Sequence, residues 1–237
     1  DGAMRGIRAL GNLRGFSVTI PHKVAVIPLL DEVETTAKHI GAVNTIVVED
    51  GKLTGYNTDA PGALRALREG AGNLKSQRVV MLGSGGAARA IAFALATSPD
   101  RPELTILGVD ERERRGLVAD LRNKTGRRVE DGPITEDELH RHLKDAQILL
   151  HCTPVGMPPA MDDTCVPAGL LGPHLTVMDI VYTPLETRLL REAKAAGCRT
   201  IRGLEMFLNQ AVAQFELWTG QAAPAHVMRQ VLESELV

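Results

Sequence analysis

The chain has 237 residues, 44% of them hydrophobic, and carries 27 Lys and Arg against 29 Asp and Glu for a net charge of −2. Such a length holds one large or two modest domains, and the apolar share excludes a disordered chain. The balanced charge and an aromatic content of only 3% exclude the electrostatic and stacking surfaces that non-specific nucleic-acid binding needs.

Apolar runs of strand length alternate with amphipathic stretches of helix length, which predicts an α/β fold with a parallel sheet. Strands are expected at residues 16–20, 44–48, 53–56, 78–82, 104–107, 148–151, 175–180 and 200–202. Glu49-Asp50-Gly51-Lys52 joins the second and third of these and marks an antiparallel hairpin. Residues 73–77 are polar and precede the most hydrophobic strand, so a domain boundary falls between Asn57 and Asn73. Thr135-Glu136-Asp137-Glu138 is a capping box that opens a helix running to about Lys144, and Gly197 closes a helix that begins near Leu185. Residues 204–219 form a last long helix, with Leu204, Leu208, Ala211, Phe215 and Trp218 on one apolar stripe that must dock.

The longest apolar runs, such as residues 90–96, fall short of a bilayer span, and no N-terminal stretch reads as a signal segment. Cys152, Cys165 and Cys198 are odd in number and lack CxxC spacing, while the histidines show no recurring metal-ligand pattern. A soluble, cytoplasmic protein without a disulfide framework or metal is expected, with no membrane or nucleic-acid partner.

Gly83-Ser84-Gly85-Gly86-Ala87-Ala88 follows directly on the strand at 78–82 and opens a helix. In that context Gly83 allows a tight turn, Gly85 lets backbone approach a pyrophosphate, and Ala88 permits close helix-on-strand packing, the fingerprint of a dinucleotide site. The alternative is a glycine-rich turn of any parallel α/β domain. Asp110, after the next strand, is placed either to bind the adenosine ribose of NAD or to cap the following helix. Arg112, Arg114 and Arg115 alternate with Glu111 and Glu113 and read as a solvated helix start, with a cofactor phosphate as the other reading.

Before the glycine turn, polar groups gather at strand ends. Thr19, Lys23, Asn44 and Asp59 together offer a hydroxyl, an ammonium, an amide and a carboxylate, a set suited to a small polyhydroxylated acid. A lysine beside an acid can move a proton to or from an alcohol while a nicotinamide cofactor exchanges hydride at the same carbon. Singly each has a plainer reading: a solvated Lys23, a turn residue Asn44, and Asp59 as N-cap before Pro61.

Taken together, Ser17-Val-Thr-Ile-Pro-His-Lys23, Gly41-Ala-Val-Asn-Thr45, Asn57-Thr-Asp59, Gly83-Ser-Gly-Gly-Ala87, Cys152-Thr-Pro-Val-Gly-Met157 and Gly203-Leu-Glu-Met-Phe-Leu-Asn-Gln210 resemble, in order, the signature motifs of shikimate dehydrogenases. The resemblance implies a Rossmann-like nucleotide domain with a smaller α/β substrate domain, and interconversion of shikimate and 3-dehydroshikimate with NAD or NADP on the route to aromatic amino acids. It implies Lys23 and Asp59 as the catalytic pair, with Thr19, Asn44, Tyr182 and Gln210 binding substrate. It further implies Gly83, Gly85, Gly86 and Ala87 along the pyrophosphate, Met157, Val181 and Gly203 near the nicotinamide, and Ser84 and Thr153 among the other cofactor-binding residues. Residues 1–58 would form the substrate domain, 59–203 the dinucleotide domain, and 204–237 helices that return to the first; the assembly is a monomer or a homodimer.

The chain departs from that family in three places. The opening strand and Ser-x-Ser segment that hold the substrate carboxylate are expected to be absent, because the chain starts past them. Gly108-Val109-Asp110-Glu111 stands where NADP-dependent members carry Asn-Arg-Thr, which favours NAD, and His151 stands where an Asn commonly precedes Cys-Thr-Pro. That histidine is expected to be packed and hydrogen-bonded, without a catalytic role. Quinate is the alternative substrate, and a catalytically silent metabolite-binding paralogue is the alternative function.

Overall fold

The computed structural model describes residues 2–19 and 21–235. It contains two sheets, which organise two domains. Helix α1 (Gly2–Arg8) leads into a four-stranded mixed sheet made of β1 (Gly15–Ser17), β2 (Glu32–Val33), β3 (Thr45–Glu49) and β4 (Lys52–Tyr56), in the order β1-β3-β4-β2. The β3–β4 hairpin is antiparallel with Glu49 opposite Lys52, as its turn predicts. Between β2 and β3, α2 (Thr35–Ile40) is capped by the Glu34 carboxylate and ends at Gly41, whose φ of 74° suits glycine. The first expected strand stops at Ser17, although Val18 N–H still reaches Asn44 O at 2.8 Å; Ile20, at the far end of that prediction, lies outside the described residues.

Helix α3 (Asp59–Ala71) carries the chain into a six-stranded parallel sheet through the stretch where a domain boundary was expected. Its elements are β5 (Arg78–Leu82), α4 (Gly86–Thr97), β6 (Glu103–Leu107), α5 (Glu111–Thr125), β7 (Glu130–Gly132), α6 (Glu136–Leu143), β8 (Ile148–His151), β9 (Thr176–Asp179), α7 (Arg188–Ala195) and β10 (Arg199–Ile201). The strand order is β10-β9-β8-β5-β6-β7. Both faces are covered, so strand residues alternate between two cores: Val79 and Met81 pack with α3 and α4, Val80 and Leu82 with α6 and α7. Thr135 caps α6 by accepting from Glu138 N–H, as the capping box predicts. Helix α7 starts at Arg188, later than expected, because Thr187 caps it.

Strands β2 and β7 were not anticipated. Glu32-Val33 is too short to show alternation, and Glu130-Asp131-Gly132 has a composition that disfavours strands; each is held by its ladder to a stronger neighbour.

Helix α8 (Gly203–Thr219) returns from β10 to the first domain, followed by α9 (Ala225–Glu235). It packs along α3, where a Cβ on Gly62 would come within 2.8 Å of the Gln210 nitrogen. At its far end Trp218 Nε1 donates to Ile46 O at 3.0 Å. The predicted stripe therefore docks on α3 and the first sheet. Elsewhere Arg89 donates to Ile40 O and Lys124 to His39 O, so two cations of the second domain satisfy carbonyls at the C-terminus of α2. Among the described residues no helix is long and apolar enough to cross a membrane.

Candidate active site

The order of the parallel sheet reverses at β5 and β8: from β5 the chain builds outward through β6 and β7, then crosses back to β8. Ligands of open α/β sheets bind outside the carboxyl ends of strands at such a point. There, between the two domains, lies a cleft of about 380 Å³.

Lys23, Asp59, Thr19, Asn44, Tyr182 and Gln210 all line it, so the structure gathers every residue expected to act on or bind substrate. Lys23 Nζ donates to Asp59 Oδ2 at 2.7 Å. Asp59 Oδ1 accepts from Asn44 Nδ2 at 2.9 Å, and Asn44 Oδ1 accepts from Thr58 N–H at 2.8 Å. Asn44 and Asp59 are buried, Lys23 is half-buried. The plainer readings of Lys23 and Asp59 give way: Lys23 is ion-paired, and Asp59 is the first helical residue of α3 with its carboxylate turned to Lys23 and Asn44 instead of capping. The Tyr182 ring stacks on Phe207, with centroids 4.4 Å apart. Gln210 turns its amide to Phe207 O of its own helix.

Ser17, Phe207 and Gln214 also line the cleft and were not singled out beforehand. Gln214 Nε2 donates to Thr45 Oγ1 at 2.9 Å while its oxygen accepts from Ser17 at 3.2 Å, joining α8 to the first sheet. It lies one helical turn beyond Gln210, and that spacing was the available signal.

The expected cofactor residues follow the carboxyl edge of the parallel sheet. Gly83 has φ of 109°, and a Cβ there would come within 2.7 Å of Cys152 O, so the turn requires glycine. At Gly85 and Gly86 an added Cβ meets nothing within 4 Å, which leaves open space over the N-terminus of α4, where free N–H groups favour a phosphate. Ala88 is fully buried against the sheet, as its small size predicts. Ala87 and Gly203 reach the cleft itself. Thr153 and Met157 lie after β8 and Val181 after β9, with Met157 exposed and Val181 buried. Gly203 is pressed against that second loop, since a Cβ would stand 2.4 Å from Val181 O. The donor set and the open glycine backbone fit a dinucleotide.

Asp110 caps α5, accepting from Glu113 N–H at 2.8 Å, while Ser84 Oγ donates to Glu113 at 3.0 Å. The basic cluster beside it is not uniformly solvated. Arg114 is buried and committed to Asp131 and Gly108 O, so it is withdrawn from any phosphate; Arg112 stays exposed. His151 is buried beside Asp179, 2.8 Å from its carboxylate. Burial opposes the charged imidazole, but the hydrogen bond and charge of Asp179, joined by Cys165, prevail and raise its pKa to about 9. Burial likewise pushes the Cys152 thiol well above its usual value, with the Asp179 charge adding to the effect. No group of three or more His, Cys, Asp and Glu among the described residues is placed to hold a metal ion.

A model of the shikimate dehydrogenase substrate binding domain matches residues 1–46, and one of the shikimate 5'-dehydrogenase C-terminal domain matches residues 203–233. The first match corrects one expectation: substrate-binding sequence is represented from the first residues of the chain. The shikimate dehydrogenase (NADP(+)) of Methanopyrus kandleri is 44% identical over 239 residues, covering 100% of this chain and 81% of the relative. A shikimate dehydrogenase solved in complex with NADP+ superposes with a TM-score of 0.92 at 38% identity, covering 100% of this chain and 81% of the other. A quinate dehydrogenase from Corynebacterium glutamicum, solved with NAD, gives a TM-score of 0.90 at 36% identity over 98% of this chain and 82% of the other. Identity of this order along nearly the whole chain, matched in both sequence and fold, places the protein in the shikimate dehydrogenase family.

Proposed function

We propose that the protein interconverts shikimate and 3-dehydroshikimate with a nicotinamide cofactor. The observation that carries this reading is the Lys23–Asp59–Asn44 constellation inside the cleft beside the dinucleotide edge. When bound, the nicotinamide exchanges hydride with C3 of the substrate. Lys23 Nζ moves the proton at the C3 oxygen, Asp59 holds that ammonium in the cleft, and Asn44 fixes the carboxylate. Thr19 and Gln210 supply hydrogen bonds to ring hydroxyls, and Tyr182 one to the substrate carboxylate. Residues 1–58 with 204–237 form the substrate domain and 59–203 the dinucleotide domain, in a cytoplasmic enzyme.

The cofactor assignment is NAD. Asp110 and Glu113 put two carboxylates just beyond the carboxyl end of β6, a charge that would repel a 2′-phosphate bound there, Val109 beside them is 86% exposed, and Arg114 is engaged elsewhere. NADP is a second reading, favoured by the names of the relatives and by the exposed Arg112. Quinate is a second substrate reading, favoured by the likeness to a quinate dehydrogenase. Initial rates with shikimate and quinate, each with NAD and NADP, test the assignment; failure of all four pairs to reduce nicotinamide would overturn it.

A further inference from the structure

Asn44 lines the cleft with Lys23 and Asp59, and its neighbour Thr45, the first residue of β3, is 0% exposed. A hydroxyl buried in a strand costs free energy unless it is hydrogen-bonded, and this one is fully engaged. Thr45 Oγ1 donates to Asn44 Oδ1 at 2.8 Å and accepts from Gln214 Nε2 at 2.9 Å, with Thr58 Oγ1 at 3.2 Å. An amide oxygen can only accept, so the Thr45 proton points to Asn44.

Backbone groups fix the sense of both amides. Asn44 Oδ1 also accepts from Thr58 N–H at 2.8 Å, which turns Asn44 Nδ2 to Asp59 Oδ1 at 2.9 Å and to Thr58 Oγ1 at 3.0 Å. Gln214 Nε2 also reaches Asn44 O at 3.4 Å, while its oxygen accepts from Ser17 Oγ at 3.2 Å. Reversing either amide would set oxygen against oxygen: Asn44 Oδ1 against the Asp59 carboxylate, or Gln214 Oε1 against Asn44 O.

We propose that Thr45 is a positioning residue for the reaction: its buried hydroxyl, supported by Gln214, holds the Asn44 amide so that Nδ2 stays on Asp59 and the Lys23–Asp59 pair keeps its place in the cleft. The inference rests on the substrate reading above. Thr45 itself is sealed from substrate and acts through Asn44. Without the hydroxyl, Gln214 Nε2 loses its nearer acceptor and Asn44 Oδ1 keeps only Thr58, so the amide is free to tilt off Asp59. The loss falls on the cleft and spares the glycine turn, which belongs to the other sheet.

The test uses the whole chain, with initial rates over a range of shikimate and quinate concentrations, nucleotide binding followed by NADH and NADPH fluorescence, and urea unfolding. Thr45→Val, which keeps the shape, should lower kcat/KM by about fivefold to tenfold, the loss expected for one hydrogen bond. Its nucleotide affinity should stay that of the wild type, and Thr45→Ser should restore the rate. In an Asn44→Ala background the valine should cost nothing further, because the group it positions is gone. Thr45→Ala carries the same expectations where the valine variant does not fold. A variant without the hydroxyl that unfolds earlier in urea but keeps wild-type kcat/KM overturns the inference, as does a full additional loss in the Asn44→Ala background; both leave the substrate reading intact. Failure of the wild type to turn over either substrate overturns that reading and the inference with it.

Discussion

Lys23 Nζ lies 2.7 Å from Asp59 Oδ2, although the two residues come from separate elements, a loop after β1 and the first turn of α3. The pair holds an ammonium at a fixed point of the cleft wall before any substrate arrives. Lys23→Ala should cut turnover with shikimate by roughly 10²- to 10⁴-fold, the usual range for an acid–base group, while KM changes much less. Asp59→Asn should behave similarly, because the amide keeps the shape and loses the charge. Steady-state kinetics decide: a raised KM with turnover intact for Lys23→Ala would make Lys23 a tether only.

The buried imidazolium has a consequence for stability. His151 has a folded pKa raised from 6.5 to about 9, so the stabilisation it supplies is complete below pH 6.5 and is lost as pH rises through about 9. The shift corresponds to roughly 3 kcal/mol. Urea unfolding of the wild type should therefore show stability declining across that window. His151→Asn should remove this slope, and an unchanged slope in the variant would assign it to other groups.

Two glycines should respond in opposite directions to the same methyl group. Gly203→Ala drives a Cβ to 2.4 Å from Val181 O and 2.6 Å from Ile180 O, both backbone. It should cost about 2–4 kcal/mol and displace the start of α8. Gly116→Ala, inside α5 with nothing within 4 Å of its Cβ, should stabilise by about 0.5–1 kcal/mol. Thermal or chemical denaturation of the two variants measures both.

Cofactor choice is separable from helix capping at Asp110. Serine caps as well as aspartate does, so Asp110→Ser keeps the N-cap of α5 and removes the charge. The ratio of kcat/KM for NAD over NADP should fall by about tenfold, equivalent to about 1.4 kcal/mol. Wild-type kinetics favouring NADP would overturn the NAD assignment itself.

The parallel sheet was legible because strands such as β5 and β8, buried on both faces, are written as continuous apolar runs. The hairpin and the caps at Thr135 and Gly197 were legible from local turn chemistry. Strands β2 and β7 were not, since their pairing energy resides in β4 and β6 and leaves no trace in their own residues. The cleft residues were legible only as sets: Lys23, Asn44 and Asp59 each have an ordinary role taken alone, and their shared geometry depends on a fold that joins distant segments. Gln214 and Phe207 were hidden within an apolar helix stripe. Arg114 was misread because an alternating charge run gives no sign that one of its members turns inward to Asp131.

The polypeptide leaves the four-stranded sheet through α3 and comes back to it through α8, and these helices lie against each other. Both covalent crossings therefore run along one seam, like the spine of a book whose covers are the two sheets. Gly62 and Gly203 set how tightly that spine is bound, since neither position leaves room for a Cβ. Away from the spine the covers are also pinned together where Arg89 and Lys124 grip the carbonyl end of α2.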